Sequence, residues 1–453
     1  MTWPVKHYTS YKELLEKSVK RYSGALFIET AKEKINFEEF SRRTFSVAAA
    51  VSRFPGRYIV LDIQEPAVFA ETYLATVLTG HIACILPSGH MLPTSLADAV
   101  LIKDSDTATF LCETPLTFNR LPEPQPDLPC TVVFSSGTSA EVKGIVLTQT
   151  NLLKNTESCI MKYRYWAGER LVHILPYWHI FGLLSDLLAP LYAGSSVYIP
   201  ESPFHFFKAM RYFNPHSVSM PPAMADVLCE ALENTDNPKQ IIGDCLQKVM
   251  CGGAPLGFQT TEKLFKHHIL PCIAYGMTES LCVSITSDDD VRPGTSGIPL
   301  DCVNLRIAED SEILVSGSSV MLGYLDDVSG TQERIRNGFL YTGDIGSIDA
   351  FGHLTILGRK SSMLVFPNGT KCIPEAVEQS ISALDGVTEC ILSCDGYGAT
   401  AKPKVVVVMQ QTDLLQHSEV DEIMRRAGLF PYILSIQREK LDRNEMGKLV
   451  RNP

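Results

Sequence analysis

From Phe37 to Pro87 the chain switches hydrophobic period three times. Phe37 to Val51 has apolar residues at helical spacing, and Tyr58-Ile59-Val60-Leu61-Asp62-Ile63 is a short continuous apolar run. Pro66 to Thr79 is helical again, and Ala83-Cys84-Ile85-Leu86-Pro87 repeats the run. A strand that returns parallel to its neighbour needs a long crossover, and a helix laid on the sheet supplies it. The alternation therefore predicts parallel sheets with helices on their faces. The same rhythm returns at Lys248-Val249-Met250-Cys251 (strand), Phe258 to His268 (helix) and Pro271-Cys272-Ile273-Ala274-Tyr275 (strand).

At 453 residues the chain is too long for one ordinary core. From about Arg292 the texture changes to short strands and turns, such as Glu312 to Gly317, which predicts a small β-barrel-like part. Past Gly358 a small α+β unit is expected, with a helix at Glu375 to Ala383 and a strand at Val405 to Met409. The boundary falls at Gly358-Arg359-Lys360-Ser361-Ser362, giving an N-terminal domain of residues 1–358 and a small, mobile C-terminal domain of residues 359–453. The expected fold class is α/β.

In parallel sheets ligands gather at the carboxyl ends of strands. Three polar or glycine-rich segments sit at such ends: the run beginning at Ser135, Gly252-Gly253-Ala254-Pro255, and Gly276-Met277-Thr278-Glu279-Ser280. The first, Ser135-Ser136-Gly137-Thr138-Ser139-Ala140-Glu141-Val142-Lys143-Gly144, leaves the β-rich run Cys130 to Phe134. Small hydroxylated residues can bring many N–H and O–H donors onto one anion without steric conflict, as a polyphosphate requires. A nucleotide-hydrolase phosphate loop is excluded by spacing. It needs a second glycine five residues after the first, followed by Lys and Ser or Thr. Here Val142 holds that place, and Gly144 follows Lys143. The plain alternative is a surface turn, which Gly, Ser and Thr clusters often mark.

The net charge is −11, from 40 basic and 51 acidic residues. Without a basic block, this argues against nucleic acid or an anionic membrane as principal partner, and an anionic substrate must be drawn by local positive groups. The N-terminus lacks the apolar stretch of a signal peptide. The most apolar long segment, Ile174 to Ile199, is interrupted by Pro176, His179, Asp186 and Pro190, so it reads as buried core and not as a membrane span. Thirteen cysteines are scattered, and the closest pair, Cys390 and Cys394, has no matching second pair or histidine. Reduced, buried thiols and a cytoplasmic location are expected.

Taken together, seven segments in order resemble the adenylate-forming superfamily of acyl- and aryl-CoA synthetases, adenylation domains and luciferases. Ser135 to Lys143 is similar to its phosphate-binding signature, with Ala140 and Val142 in place of the usual glycine and proline. Leu175-Pro176-Tyr177-Trp178-His179-Ile180-Phe181-Gly182 resembles the segment flanking the acyl pocket, and Gly252 to Leu256 the adenine-side strand end. Tyr275-Gly276-Met277-Thr278-Glu279-Ser280 resembles the loop that meets adenine, α-phosphate and magnesium. Tyr341-Thr342-Gly343-Asp344 resembles the ribose-binding motif, Gly358-Arg359-Lys360 the start of the hinge, and Asn444 to Arg451 the segment carrying the catalytic lysine.

The resemblance implies attack of a carboxylate on the α-phosphorus of ATP, with ATP, Mg2+ and CoA, or a phosphopantetheine carrier, as cofactors. Ser135, Ser136, Gly137, Thr138, Ser139 and Lys143 would hold the departing phosphates. Gly252, Gly253, Ala254, Pro255, Tyr275, Gly276 and Met277 would line the nucleotide. Thr278 would bond the α-phosphate, Glu279 would bind magnesium, Asp344 would accept the ribose hydroxyls with Arg359 assisting, Lys448 would be the catalytic lysine, and His179 would gate the acyl pocket. In isolation each has a plainer reading: a helix cap for Thr278 and Glu279, a turn residue for Asp344, a solvated terminal lysine for Lys448 and a satisfied core histidine for His179.

The chain departs from the family at the hinge, where Ser362 stands in place of Asp or Lys, and in two short stretches, Pro87 to Cys130 and the C-terminal domain. The wording of Ala189 to Gly194, Val320-Met321-Leu322-Gly323-Tyr324 and Pro367-Asn368-Gly369 is most similar to bacterial fatty-acyl-CoA synthetases. A fatty acid and CoA are the leading partners. An aryl or other acid loaded onto an acyl carrier protein is the alternative, and a non-catalytic adenylate-binding protein is the rival class.

Overall fold

The computed structural model describes residues 7–87, 93–111, 114–134, 143–287, 290–396, 401–409, 415–439 and 441. Its helices and strands follow the hydrophobic periods closely. The helix Phe37–Val51 is capped by Asn36, whose side chain accepts from the Glu39 N–H, and Pro66–Leu78 begins on a proline, which lacks the N–H that a first turn leaves unpaired.

Among the described residues, the widest sheet has nine strands. Its order is Ile298–Pro299, Leu281–Ile285, Leu270–Met277, Lys248–Cys251, Ser217–Met220, Arg170–Val172, Ser196–Ile199, Leu26–Thr30 and Lys34–Asn36. The strands from Leu270–Met277 to Leu26–Thr30 are parallel, and antiparallel pairs close both edges. A six-stranded sheet runs Gly323–Tyr324, Gly144–Thr148, Pro129–Phe134, Ile82–Ile85, Tyr58–Asp62 and Val100–Lys103. Its last four strands are parallel, but Pro129–Phe134 and Gly144–Thr148 are antiparallel neighbours. The two strands that flank the Ser135 run are thus antiparallel neighbours and not a parallel pair with a crossover between them.

The short strands after Arg292 form a five-stranded antiparallel sheet built on Phe339–Ile348. One hydrophobic core joins this sheet to the two larger ones, from Tyr8 to Leu354. A separate core, from Phe366 to Leu429, packs the helices Pro374–Ser382 and His417–Arg426 on a three-stranded sheet.

The apolar segment from Ile174 is buried as expected, by an irregular helical run. Ile180–Gly182 continues into a π-helical turn at Leu183–Leu188 and then into Ala189–Ala193. Pro190 has no N–H to offer the Asp186 carbonyl four residues back, and the buried Tyr177 hydroxyl donates to that carbonyl instead, at 3.1 Å. No helix among the described residues is long and apolar enough to cross a membrane. The twelve described cysteines are all free thiols.

Glu71 is 1% exposed on the inner face of Pro66–Leu78. Its nearest cation, Arg43, is 3.8 Å away and already bonded to Glu33 and Glu39. Burial pushes the Glu71 carboxyl up to about 8 from its ordinary 4.5, against the attraction of Arg43. The folded protein therefore holds a proton that the unfolded chain releases, and this contribution to stability is lost as pH rises from about 4.5 to about 8. Glu71→Gln should match the wild type in urea unfolding at about pH 4 and exceed it by about 1–4 kcal/mol at pH 9. A wild type that is the more stable at pH 9 would contradict this.

Candidate active site

Lys248–Cys251 and Leu270–Met277 are parallel, so the segments that follow them leave the same edge of the nine-stranded sheet. Gly252 packs under Phe181: a Cβ there would lie 3.2 Å from the Phe181 ring. That contact joins the helix start after His179 to the Gly252-to-Pro255 loop, in which Gly253, Ala254 and Pro255 are exposed.

The Tyr275-to-Ser280 segment differs from the loop expected. The strand continues through Gly276 to Met277, and Thr278, Glu279 and Ser280 form the turn of a hairpin with Leu281–Ile285. The helix-cap reading of Thr278 and Glu279 is therefore wrong. Gly276 sits at an irregularity in the pairing, where a Cβ would come 2.1 Å from the Leu281 carbonyl oxygen. Only glycine lets the two strands approach this closely.

Asp344 is not a turn residue either. It lies within Phe339–Ile348, 4% exposed, opposite Arg359 of Leu354–Arg359. The Tyr275 hydroxyl donates to its Oδ2 at 2.7 Å, and Arg359 Nε donates to its Oδ1 at 2.7 Å. The backbone is fixed as well: the Asp344 N–H donates to Thr342 Oγ1 at 3.0 Å, and the Gly343 N–H donates to Glu312 Oε1 at 2.9 Å. Burial raises the Asp344 carboxyl above its usual range, with Arg359 and the tyrosine bond acting against it. A carboxylate has about four lone-pair positions, so two remain for a ligand after Tyr275 and Arg359 are counted.

A second cluster forms one turn away. The Tyr324 hydroxyl donates to Glu279 Oε1 at 3.0 Å, and the Met321 N–H donates to the Glu279 carbonyl at 2.8 Å. Tyr324 lies in the edge strand Gly323–Tyr324, opposite Ile145, and Leu325 N–H donates to the Gly144 carbonyl at 2.7 Å. Lys143 Nζ sits 4.6 Å from the Tyr324 ring centre and 3.3 Å from Asp327 Oδ2. The exit of the Ser135 run is thus tied to the Glu279 turn. Ser135, Ser136, Gly137, Thr138 and Ser139 lie outside the described residues, as does Lys448.

His179 is exposed, which overturns the core reading. Its Nδ1 accepts the Phe181 N–H at 3.2 Å, so the neutral ring carries its proton on Nε2. Crowding by surrounding protein lowers its pKa below the ordinary imidazole value. The core histidine of this segment is His173, with Nδ1 3.1 Å from Asp186 Oδ2. Past Arg359, Lys360 pairs with Asp310 at 2.6 Å and Glu312 at 2.8 Å, and the Ser362 hydroxyl donates to Glu375 at 2.7 Å.

Two residues at this site had no role in the sequence reading. Tyr324 belongs to a run that served only as family wording. Arg334 ends the helix Val328–Arg334 and carries no motif, yet its Nη2 donates to the Thr342 carbonyl at 2.8 Å, beside Asp344.

A 3-[(3aS,4S,7aS)-7a-methyl-1,5-dioxo-octahydro-1H-inden-4-yl]propanoyl:CoA ligase of Rhodococcus jostii is 28% identical over 337 residues, covering 72% of this chain and 65% of its own length. A long-chain-fatty-acid–CoA ligase of Escherichia coli O6:H1 is 27% identical over 352 residues, covering 73% of this chain and 62% of its own length. The chain thus spans less than two thirds of these curated relatives. The fold matches apo MatB from Rhodopseudomonas palustris with a TM-score of 0.84, at 22% identity over 98% of this chain and 97% of that one. The family described as AMP-binding enzyme matches residues 81–325, more than half of the sequence, and the chain belongs to that family.

Proposed function

We propose that the chain uses ATP to activate a carboxylic acid, in the leading reading a fatty acid, and then passes the acyl group to the thiol of CoA. The observation that carries this reading is one hairpin that bonds both polar clusters: Tyr275 to Asp344 before the turn, and Glu279 to Tyr324 within it. A nucleotide triphosphate needs an acceptor for its ribose hydroxyls and, close by, an anionic oxygen for the cation on its phosphates.

In the first step a carboxylate oxygen forms a bond to the α-phosphorus, and the bond from that phosphorus to the bridging oxygen breaks. Pyrophosphate leaves with the electron pair. The demand on the protein is positioning and charge stabilisation. Asp344, oriented by Tyr275 and Arg359, accepts the ribose hydroxyls. Gly252, Gly253, Ala254 and Pro255 flank the adenine, with Gly276 and Met277 on its other side. Thr278 bonds the α-phosphate, while Lys143 and the Ser135-to-Ser139 residues hold the leaving phosphates. His179 stands at the acid's entrance, an exposed neutral ring.

The donors at the turn suit a hard cation. Glu279 offers anionic oxygen; Oε1 is held by Tyr324, and Oε2 has no protein partner among the described residues. Mg2+ bound there and to the phosphates would neutralise charge on the leaving group.

In the second step the thiol sulfur, its proton lost to water, forms a bond to the acyl carbon as the bond from that carbon to AMP oxygen breaks, and AMP leaves with the electron pair. We assign this step to rotation of residues 359–453 as a unit, a reading supported by their separate core. Rotation must release Lys360 from the exposed Asp310, a pair worth about 1 kcal/mol or less, and from the buried Glu312, which keeps the Gly343 N–H as a donor when Lys360 leaves. A second reading of the acid, polycyclic, is favoured by the Rhodococcus jostii relative, which aligns over nearly as much of the chain as the fatty-acid one; an aryl acid is the further alternative. A carrier-protein phosphopantetheine replaces CoA in that reading's other branch.

ATP–pyrophosphate exchange over a panel of alkyl and aryl acids tests the first step, and thioester formation with CoA or a phosphopantetheinyl carrier tests the second. Exchange with an alkyl acid of medium or long chain is expected. A protein that binds ATP yet exchanges with no acid would be a binder and not a ligase. Lys448→Ala should abolish exchange while leaving transfer from a supplied acyl-adenylate intact. Unchanged exchange in that variant would remove Lys448 from the first step.

A further inference from the structure

Glu279 sits in a three-residue turn, half-buried, with flexible side-chain bonds. A carboxylate left free there would lose rotamer freedom each time it bound a cation. Tyr324 removes that freedom beforehand, and the tyrosine is itself immobile. Its strand pairs with Gly144–Thr148, and its N–H donates to Thr331 Oγ1 at 2.8 Å. The Thr331 hydroxyl donates in turn to the Asp327 carbonyl at 2.7 Å. The Lys143 ammonium, 4.6 Å from the ring centre, adds a cation–π contact.

We propose that Tyr324 is a positioning residue for Glu279: its hydroxyl fixes Oε1 so that Oε2 meets a divalent cation carried by the nucleotide phosphates. The inference rests on the nucleotide part of the proposed function and not on the identity of the acid. The donor in this bond is the Tyr324 hydroxyl, since an ionised carboxylate can only accept. Arg334 supplies a further positive charge beside the pair. Its Nε is buried with no hydrogen-bond partner among the described residues, and a Cβ on Gly343 would lie 3.4 Å from its Nη1.

The four proteins wild type, Tyr324→Phe, Glu279→Gln and the double variant separate positioning from general support. Tyr324→Phe keeps the ring and therefore the Lys143 contact. Electron paramagnetic resonance of Mn2+, titrated with a non-hydrolysable methylene analogue of ATP present, reads cation binding without any acid or turnover. Tyr324→Phe should weaken Mn2+ binding about tenfold, as losing a partner of a metal-ligating carboxylate does. Affinity for the metal-free analogue should stay within twofold of wild type. In the Glu279→Gln background the tyrosine change should have no further effect. Wild-type Mn2+ affinity in Tyr324→Phe, or an equal loss from the tyrosine change in both backgrounds, would overturn the positioning role alone. Failure of the wild type to bind the analogue would overturn the nucleotide reading and this inference together.

Discussion

The site depends on a buried carboxylate that would be costly without its partners. Asp344 is almost fully removed from water, and each of its oxygens takes a strong donor, one from Tyr275 and one from Arg359. Those donors come from the third strand of the nine-stranded sheet and from the last strand before the Lys360-to-Ser362 segment. Satisfying one charge therefore fixes the wide sheet, the five-stranded sheet and the start of the proposed hinge against one another. Removing either donor would leave the charge underpaid in hydrogen bonds, and that penalty exceeds what an exposed ion pair contributes.

A shorter chain of contacts does the same for the Glu279 turn. Glu279, Tyr324 and Lys143 connect the hairpin turn to the exit of the Ser135 run, across the boundary between two sheets. The two clusters share the hairpin on which Tyr275 and Glu279 stand four residues apart. Gly276 permits it, because the irregular pairing brings a neighbouring carbonyl where any side chain would begin. The geometry is thus set by one glycine and two tyrosines as much as by the charged residues.

Much of the fold was legible because hydrophobic period is a local property. Phe37–Val51 and Lys248–Cys251 coincide with the helix and strand expected from their spacing alone. The hairpin at Gly276 to Ser280 was not legible. Glycine followed by polar residues reads as a loop, and its actual constraint, the Leu281 carbonyl, belongs to the partner strand. His179 shows the same limit: its apolar neighbours suggested burial, but the irregular helix after it turns those neighbours inward and leaves the ring at the surface. Asp344, Tyr275 and Arg359 were each named from resemblance, and their bonds to one another appear only in three dimensions. Tyr324 and Arg334 had no local signal, since the Tyr324 bond to Glu279 spans 45 residues.

The central claim is that the Asp344 cluster and the Glu279 cluster make one nucleotide site, with Asp344 as its ribose acceptor. Calorimetric titration of AMP into the wild type and Asp344→Asn tests it most directly, because the substitution keeps the shape and removes the charge. The account predicts AMP binding by the wild type and a loss of about tenfold or more in the variant, with the same thermal unfolding midpoint within a few degrees. Equal AMP affinity in the two proteins would contradict it.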